Sequence, residues 1–148
     1  GRCQPQLTEL IGGAPSLGLN ARFRFYRYQP GDFFKTHTDG PWPGSAVVNG
    51  KLQADAFGDR WSQLTILLML SGDYEGGHTR FYPEGESGEA IPVHTPLGSA
   101  LCFPHGGHSQ HYPHAGEKVR QGIKYIIRTD VLYGRTPESE KIQRRWMY

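Results

Sequence analysis

Cysteine is nearly absent from this sequence: Cys3 and Cys102 are the only two among 148 residues, too few for a disulfide framework. Cys102 lies in an apolar stretch, where it is expected to serve as a small buried hydrophobe, and so few thiols favour a reducing, cytoplasmic setting. An excess of one charge is missing too. The chain sets 16 Lys and Arg against 14 Asp and Glu, so neither nucleic acid nor an anionic membrane is an expected partner on electrostatic grounds. No apolar run reaches membrane-spanning length, and no signal sequence is visible in a chain that begins at Gly1. What is plentiful is turn-forming and aromatic residues: 20 Gly, 11 Pro, 3 Trp, 8 Tyr and 7 Phe, spread among many short apolar runs. That mixture suits an all-β domain with frequent turns and marginal helix. At this length a single domain, 1–148, is expected.

Residues 4–11 could form a short helix ending at Gly12-Gly13, and 14–20, with Pro15 and Gly18, reads as a loop. Strand formers crowd 21–28 (ARFRFYRY), but the alternation slips between Phe25 and Tyr26, as in a bulge or a strand covered on both faces. A turn at Pro30-Gly31 leads into a strand over 32–38. From Gly40 to Arg60 periodicity is lost, and a loop so long is either a substrate lid or a surface insertion without a role. Trp42 and Trp61 favour the lid. Further strands are expected at 64–70, 78–82, 91–95, 99–103 and 122–133, with Thr136-Pro137 opening a terminal helix that carries Lys141, Arg144 and Arg145 on a solvated face. With the segment near His114, about eight strands result. Such a meander suits a two-sheet jelly roll whose mouth can hold a ligand.

The stretch FFKTHTDG at 33–40 places His37 and Asp39 two residues apart where a strand should end. Side chains at i and i+2 share a face, so imidazole and carboxylate can converge on one metal ion. A third ligand is needed, since two His and one carboxylate fill one face of an octahedron and leave the other open, the arrangement of non-haem Fe(II) sites. The stretch PHGGHSQHYPHAG supplies His105, His108, His111 and His114 at intervals of three. Gly106, Gly107 and Pro113 argue against a helix there, so spacing alone does not choose among the four. Loop histidines that are solvated or bonded to backbone are the ordinary reading of His105, His108 and His111. A zinc site made from this cluster would lack the paired cysteines that often complete one.

HTD at 37–39, GGHTRFYPEG at 76–85 and HAGEKVRQGIKYIIRTDVLY at 114–133 together resemble the prolyl 4-hydroxylase-like branch of the Fe(II)- and 2-oxoglutarate-dependent dioxygenases. The similarity runs from about Arg22 to Tyr133, within a core of about 21–133, and its order and spacing agree throughout. The resemblance implies a double-stranded β-helix, with His37, Asp39 and His114 as iron ligands. It implies Lys124 as partner of the distal carboxylate of 2-oxoglutarate, with Tyr28 and Thr79 facing the same cosubstrate. The implied reaction consumes O2, releases succinate and CO2, and hydroxylates a peptide or protein substrate, prolyl in the first instance; ascorbate is a candidate supporting reductant. A free amino acid or other small molecule is the alternative substrate, and a non-catalytic metal-holding jelly-roll module the alternative of another class. The helices that precede the first strand in the family are largely missing, and the segment after Asp39 has no family motif. Lys124, Ile126 and Arg128 share one strand face, so Lys124 is expected to point inward only if Arg128 lies near the barrel rim.

Overall fold

Short aromatic and β-branched runs punctuated by Gly and Pro fold here into strands. A computed structural model of the chain describes residues 14–137 and Glu140. In chain order the strands are β1 (Ser16–Leu19), β2 (Arg24–Tyr28), β3 (Phe34–His37), β4 (Ala46–Val48), β5 (Lys51–Gln53) and β6 (Arg60–Met69). There follow β7 (Tyr74–Gly76), β8 (Thr79–Phe81), β9 (Ile91–Val93), β10 (Ala100–Pro104), β11 (His114–Gly116), β12 (Val119–Gly122) and β13 (Lys124–Gly134). The larger sheet has the order β1-β13-β6-β10, with β2 also paired to β13; the smaller is β3-β11-β8-β9. Two ribbons, β4–β5 and β7–β12, stand apart from them. Every pairing is antiparallel, and residues from both sheets line one cavity between them, the jelly-roll or double-stranded β-helix arrangement. No helix among the described residues is long and apolar enough to cross a membrane.

The two longest strands divide their length between packing and cavity. β6 and β13 pair from Met69↔Ile126 to Arg60↔Gly134. At one end Leu64, Val131 and Tyr133 form the apolar cluster, with Ala14 and Ile66 against it. At the other, Lys124, Ile126 and Arg128 of β13 and Leu67 of β6 face the cavity. Period-two alternation sends Tyr125 outward at 41 % exposure while its neighbours Lys124 and Ile126 are buried.

Several expectations need correction. Residues 14–20 are not all loop: Ser16–Leu19 pair with β13, with a register shift where Gly18 takes φ +100°, a bulge only glycine enters without strain. β2 is neither bulged nor covered on both faces. It pairs in regular register with β13, Tyr26 and Tyr28 face the cavity, and Phe25 stands 73 % exposed on the outer face. Cys102 is exposed, because β10 is the edge strand of its sheet and Cys102 shares the outward face with Ala100 while Phe103 turns in. The aperiodic segment after Asp39 contains a hairpin, β4–β5, turned at Asn49 (φ 51°) and Gly50 (φ 73°), the left-handed pair a two-residue type I′ loop requires. The expected helix over 4–11, Cys3 and the cluster Lys141, Arg144 and Arg145 lie outside the described residues.

The root of that segment is fastened to the large sheet. Pro43 bridges Trp61, and the Ser62 amide donates to the Trp42 carbonyl at 2.8 Å. Asn20, fully buried, completes the join: its Nδ2 donates to the Pro43 carbonyl at 3.1 Å and its Oδ1 accepts from the Ser45 amide at 3.1 Å. Its own carbonyl accepts from the Thr129 hydroxyl at 2.8 Å. Replacing Asn20 by Ala orphans a buried carbonyl and amide at once, so the variant should lose about 2–4 kcal/mol of unfolding free energy. Urea denaturation checks this, and a loss below about 0.5 kcal/mol, the range of an ordinary surface change, would contradict the clamp.

Candidate active site

Antiparallel pairing of β11 with β3 sets His114 directly opposite His37 across the smaller sheet, their ring centroids 4.3 Å apart. Asp39 follows two residues after His37 and is 3 % exposed. The three offer one ligand atom each, all within 4.8 Å of one another, the one such group of three metal-ligating side chains among the described residues. Each histidine is oriented in the same way. The Nδ1 of His37 lies 2.8 Å from the Lys35 carbonyl and that of His114 lies 3.3 Å from the Tyr112 carbonyl, both two residues upstream. A carbonyl only accepts, so each Nδ1 carries the proton and each Nε2 presents its lone pair. Those Nε2 atoms face opposite oxygens of Asp39, at 3.4 Å from His37 to Oδ1 and 3.7 Å from His114 to Oδ2. Two neutral imidazoles and a carboxylate with one side open form the donor set that suits Fe(II).

The electrostatics agree with an ionised carboxylate. Burial pushes the Asp39 pKa up, but the His37 ring beside it, the charge of Arg128 and the Thr65 hydrogen bond outweigh it and hold the group well below the usual carboxylate range. Burial drives the His114 imidazole down to about 4, keeping it neutral and able to ligate at neutral pH. His37 is less buried; burial lowers it, yet the bonds that a charged ring would make to Asp39 and the Lys35 carbonyl bring a net rise.

All six residues singled out in the sequence line the same cavity: His37, Asp39, His114, Lys124, Tyr28 and Thr79. Lys124 is 5 % exposed and sits opposite Tyr28 in the β13–β2 register. Its Nζ donates to the Gly77 carbonyl and lies 5.9 Å from the ring centroids of Tyr28 and Tyr74. Gly77 has φ +66°, and a Cβ there would come within 3.3 Å of the Lys124 stem, so glycine both makes the turn and leaves room for the lysine. Burial lowers the ammonium to about 8, and no carboxylate among the described residues offsets it. Burial likewise raises the Tyr28 phenol to about 12, so it remains a neutral hydroxyl.

Two residues depart from the sequence reading. Arg128 is not at the rim: it is 9 % exposed, deep on the same face as Lys124, with Nη1 2.7 Å from Oδ1 of Asp39. Its other nitrogen, Nη2, lies 3.6 Å from fully buried Asp130, which Arg24 meets at 3.4 Å from the far side. Two cations are thus tolerated on one face because Arg128 is neutralised locally by carboxylates while Lys124 is not. His105 is the other departure. It is fully buried rather than a loop histidine, and it bonds Ser62 and Thr65. His108 behaves as expected, its Nδ1 accepting from the Gln110 amide near the surface. The segment 40–60 supplies none of the cavity's lining residues; Trp42 lies under the Arg22 guanidinium at 3.9 Å and Trp61 beside Arg135 at 5.1 Å.

Comparison with known proteins agrees with this geometry. No curated protein sequence matches the chain. Among solved structures, a 2OG-Fe(II) oxygenase-family oxidoreductase from Burkholderia pseudomallei superposes with a TM-score of 0.57 at 12 % identity, covering 88 % of this chain and 52 % of that one. A prolyl hydroxylase from Trichoplax adhaerens, in complex with a hypoxia inducible factor oxygen degradation domain peptide, gives 0.57 at 16 % identity, covering 97 % and 53 %. A viral collagen prolyl hydroxylase from Paramecium Bursaria Chlorella virus-1, in its 2OG complex, gives 0.51 at 16 %, covering 91 % and 70 %. Identities this low establish a shared fold, and the chain spans about half the length of the first two. The family model for the 2OG-Fe(II) oxygenase superfamily matches residues 23–129, from the strand that carries Tyr28 to the one that carries Lys124 and Arg128, and the chain belongs to that superfamily.

Proposed function

We propose that this chain is a dioxygenase that hydroxylates a peptidyl substrate, most directly a prolyl residue, with His37, Asp39 and His114 as its iron ligands. Lys124, with Tyr28 and Thr79, receives the distal carboxylate of 2-oxoglutarate. The observation that carries this reading is Lys124 itself. A cation 5 % exposed, with a carbonyl and two tyrosine rings but no carboxylate beside it among the described residues, is costly to hold buried unless an anion joins it. A diacid spanning from the metal end of the cavity to Lys124 supplies that anion. Bound iron and 2-oxoglutarate supply the oxidation, in which O2 is consumed, succinate and CO2 leave, and the substrate gains a hydroxyl.

The chain's own groups have simpler tasks. The carbonyls of Lys35 and Tyr112 hold both histidines with Nε2 inward. Phe34, Phe81 and Phe103 pack around the histidine rings, with Phe34 at 4.5 Å from His37 and Phe103 at 4.7 Å from His114, and shed water from that end. The peptide assignment is supported by the fold shared with prolyl hydroxylases, one of them holding a peptide. Succinate formation with Fe(II), 2-oxoglutarate and a panel of proline-rich peptides tests it. Stimulation by a small amino acid and by no peptide would replace the peptidyl substrate with a small molecule.

Two variants test the site. Asp39→Ala removes the anionic ligand and leaves buried Arg128 facing a void, so affinity for Fe(II) should fall at least about tenfold; full activity in this variant would refute the ligand assignment. Lys124 gives a pH dependence of definite sign. Its folded pKa of about 8 lies below the ordinary value, so the ammonium needed for the diacid is present below pH 8 and lost above it. The KM for 2-oxoglutarate should therefore be flat below pH 8 and rise above it, approaching about tenfold per pH unit. Lys124→Arg should remove the rise by keeping the charge, and Lys124→Ala should raise KM at every pH while sparing metal affinity. An unchanged KM in Lys124→Ala would transfer the role to Arg128.

A further inference from the structure

Asp39 is held by more than Arg128. Its Oδ2 accepts a hydrogen bond from the Thr65 hydroxyl at 2.7 Å, and Thr65 is the first of three fully buried side chains in a row. Thr65 Oγ1 lies 2.9 Å from Nδ1 of His105, Nε2 of His105 lies 2.8 Å from Ser62 Oγ, and Ser62 Oγ accepts from the Trp42 amide at 2.8 Å. β6 contributes Ser62 and Thr65, and His105 follows β10, its amide tied to the Gln63 carbonyl at 2.9 Å.

The direction of every bond follows from counting protons. A ligating carboxylate only accepts, so the single Thr65 proton goes to Asp39. Thr65 Oγ1 must then accept from His105, which places the imidazole proton on Nδ1. Nε2 is left with a lone pair and accepts the Ser62 proton, and Ser62 in turn is filled by the Trp42 amide. No donor is opposed by a donor. Burial presses the His105 pKa down to about 3, so the ring holds the single proton that this scheme needs.

We propose that Ser62, His105 and Thr65 form a one-directional hydrogen-bond relay that fixes the rotamer of Asp39, with His105 as a positioning residue in the Nδ1–H tautomer. The relay also joins the metal end of the cavity to the main chain at Trp42, the root of the 40–60 segment. With Arg128 on one oxygen and Thr65 on the other, Asp39 is pre-set to face the two Nε2 atoms before any ion arrives. The relay rests on the reading of Asp39 as a metal ligand; the tautomer of His105 can be measured independently of it.

Two measurements on the full chain test the relay. In the metal-free protein, long-range 1H–15N correlation should give His105, identified by its loss in His105→Asn, a pyrrole-type shift at Nδ1 and a pyridine-type shift at Nε2. The reverse pattern, or a charged ring at pH 7, overturns the relay. Titration with Co(II) alone, followed by its d–d absorption, should show Thr65→Val weakened about 10- to 100-fold, as expected of lost outer-shell partners. Thr65→Ser, which restores the hydroxyl, should recover most of that affinity, and His105→Asn, which restores a donor near Nδ1, should bind more tightly than His105→Leu. Equal affinity in Thr65→Val and wild type, with Asp39→Ala still impaired, would overturn the relay and leave the ligand assignment standing. Wild-type affinity in Asp39→Ala would overturn both.

Discussion

A carboxylate enclosed between two β-sheets must be neutralised, and the 2.7 Å contact of Arg128 with Asp39 is the interaction on which this interior depends. Removing either partner would leave the other charged and dry, a loss larger than the worth of the pair itself. The pair is not isolated. Asp130 and Arg24 extend it into an alternating row of two carboxylates and two guanidiniums, all on β13, on its partner β2 or immediately after β3. Charge around Asp39 is therefore balanced within the protein, where His37, Asp39 and His114 come together.

The opposite end of the cavity is built on the contrary rule. Lys124 has a carbonyl where Arg128 has carboxylates, and burial lowers its pKa. Two cations four residues apart on one strand face thus differ, one completing a structural charge row and the other meeting a carbonyl and no carboxylate among the described residues. The glycine at Gly77 belongs to this second arrangement, since it provides both the accepting carbonyl and the space beside the lysine stem. A short dicarboxylate with a metal-binding group at one end matches such a polarity.

Much of this was legible in the sequence, because two of its signals are geometric. The i, i+2 spacing of His37 and Asp39 and the alternation along 124–128 each fix a shared face, and the family pattern supplied the distant His114. What was not legible depends on neighbours that only folding provides. Nothing local separates His105 from His108; one meets Ser62 and Thr65 across the β10–β6 pairing and the other meets solvent. Arg128 was expected at the rim because two buried cations on one face look prohibitive until Asp130, on the same strand, and Asp39, just after β3, are seen to meet it. Cys102 reads as core in an apolar run, and is exposed because its strand ends a sheet. The β4–β5 hairpin is a different kind of miss: Asn49-Gly50 between Val48 and Lys51 is a direct type I′ signal, outweighed in the reading by the prolines before it.

The division of labour along β6 and β13 explains how such a polar interior coexists with a stable fold. In both strands the cavity-facing residues and the apolar cluster occupy different stretches, so packing by Leu64, Val131 and Tyr133 does not depend on the charges at 124 and 128. Thr65 lies at the boundary. It follows Leu64 directly, turns to the opposite face by the period of the strand, and there reaches Asp39. The strand that anchors the core thereby also sets the position of the carboxylate. Since β6 carries both regions, a displacement of the core register would carry Thr65 away from Asp39, and accurate placement of the site follows from accurate packing of the sheet.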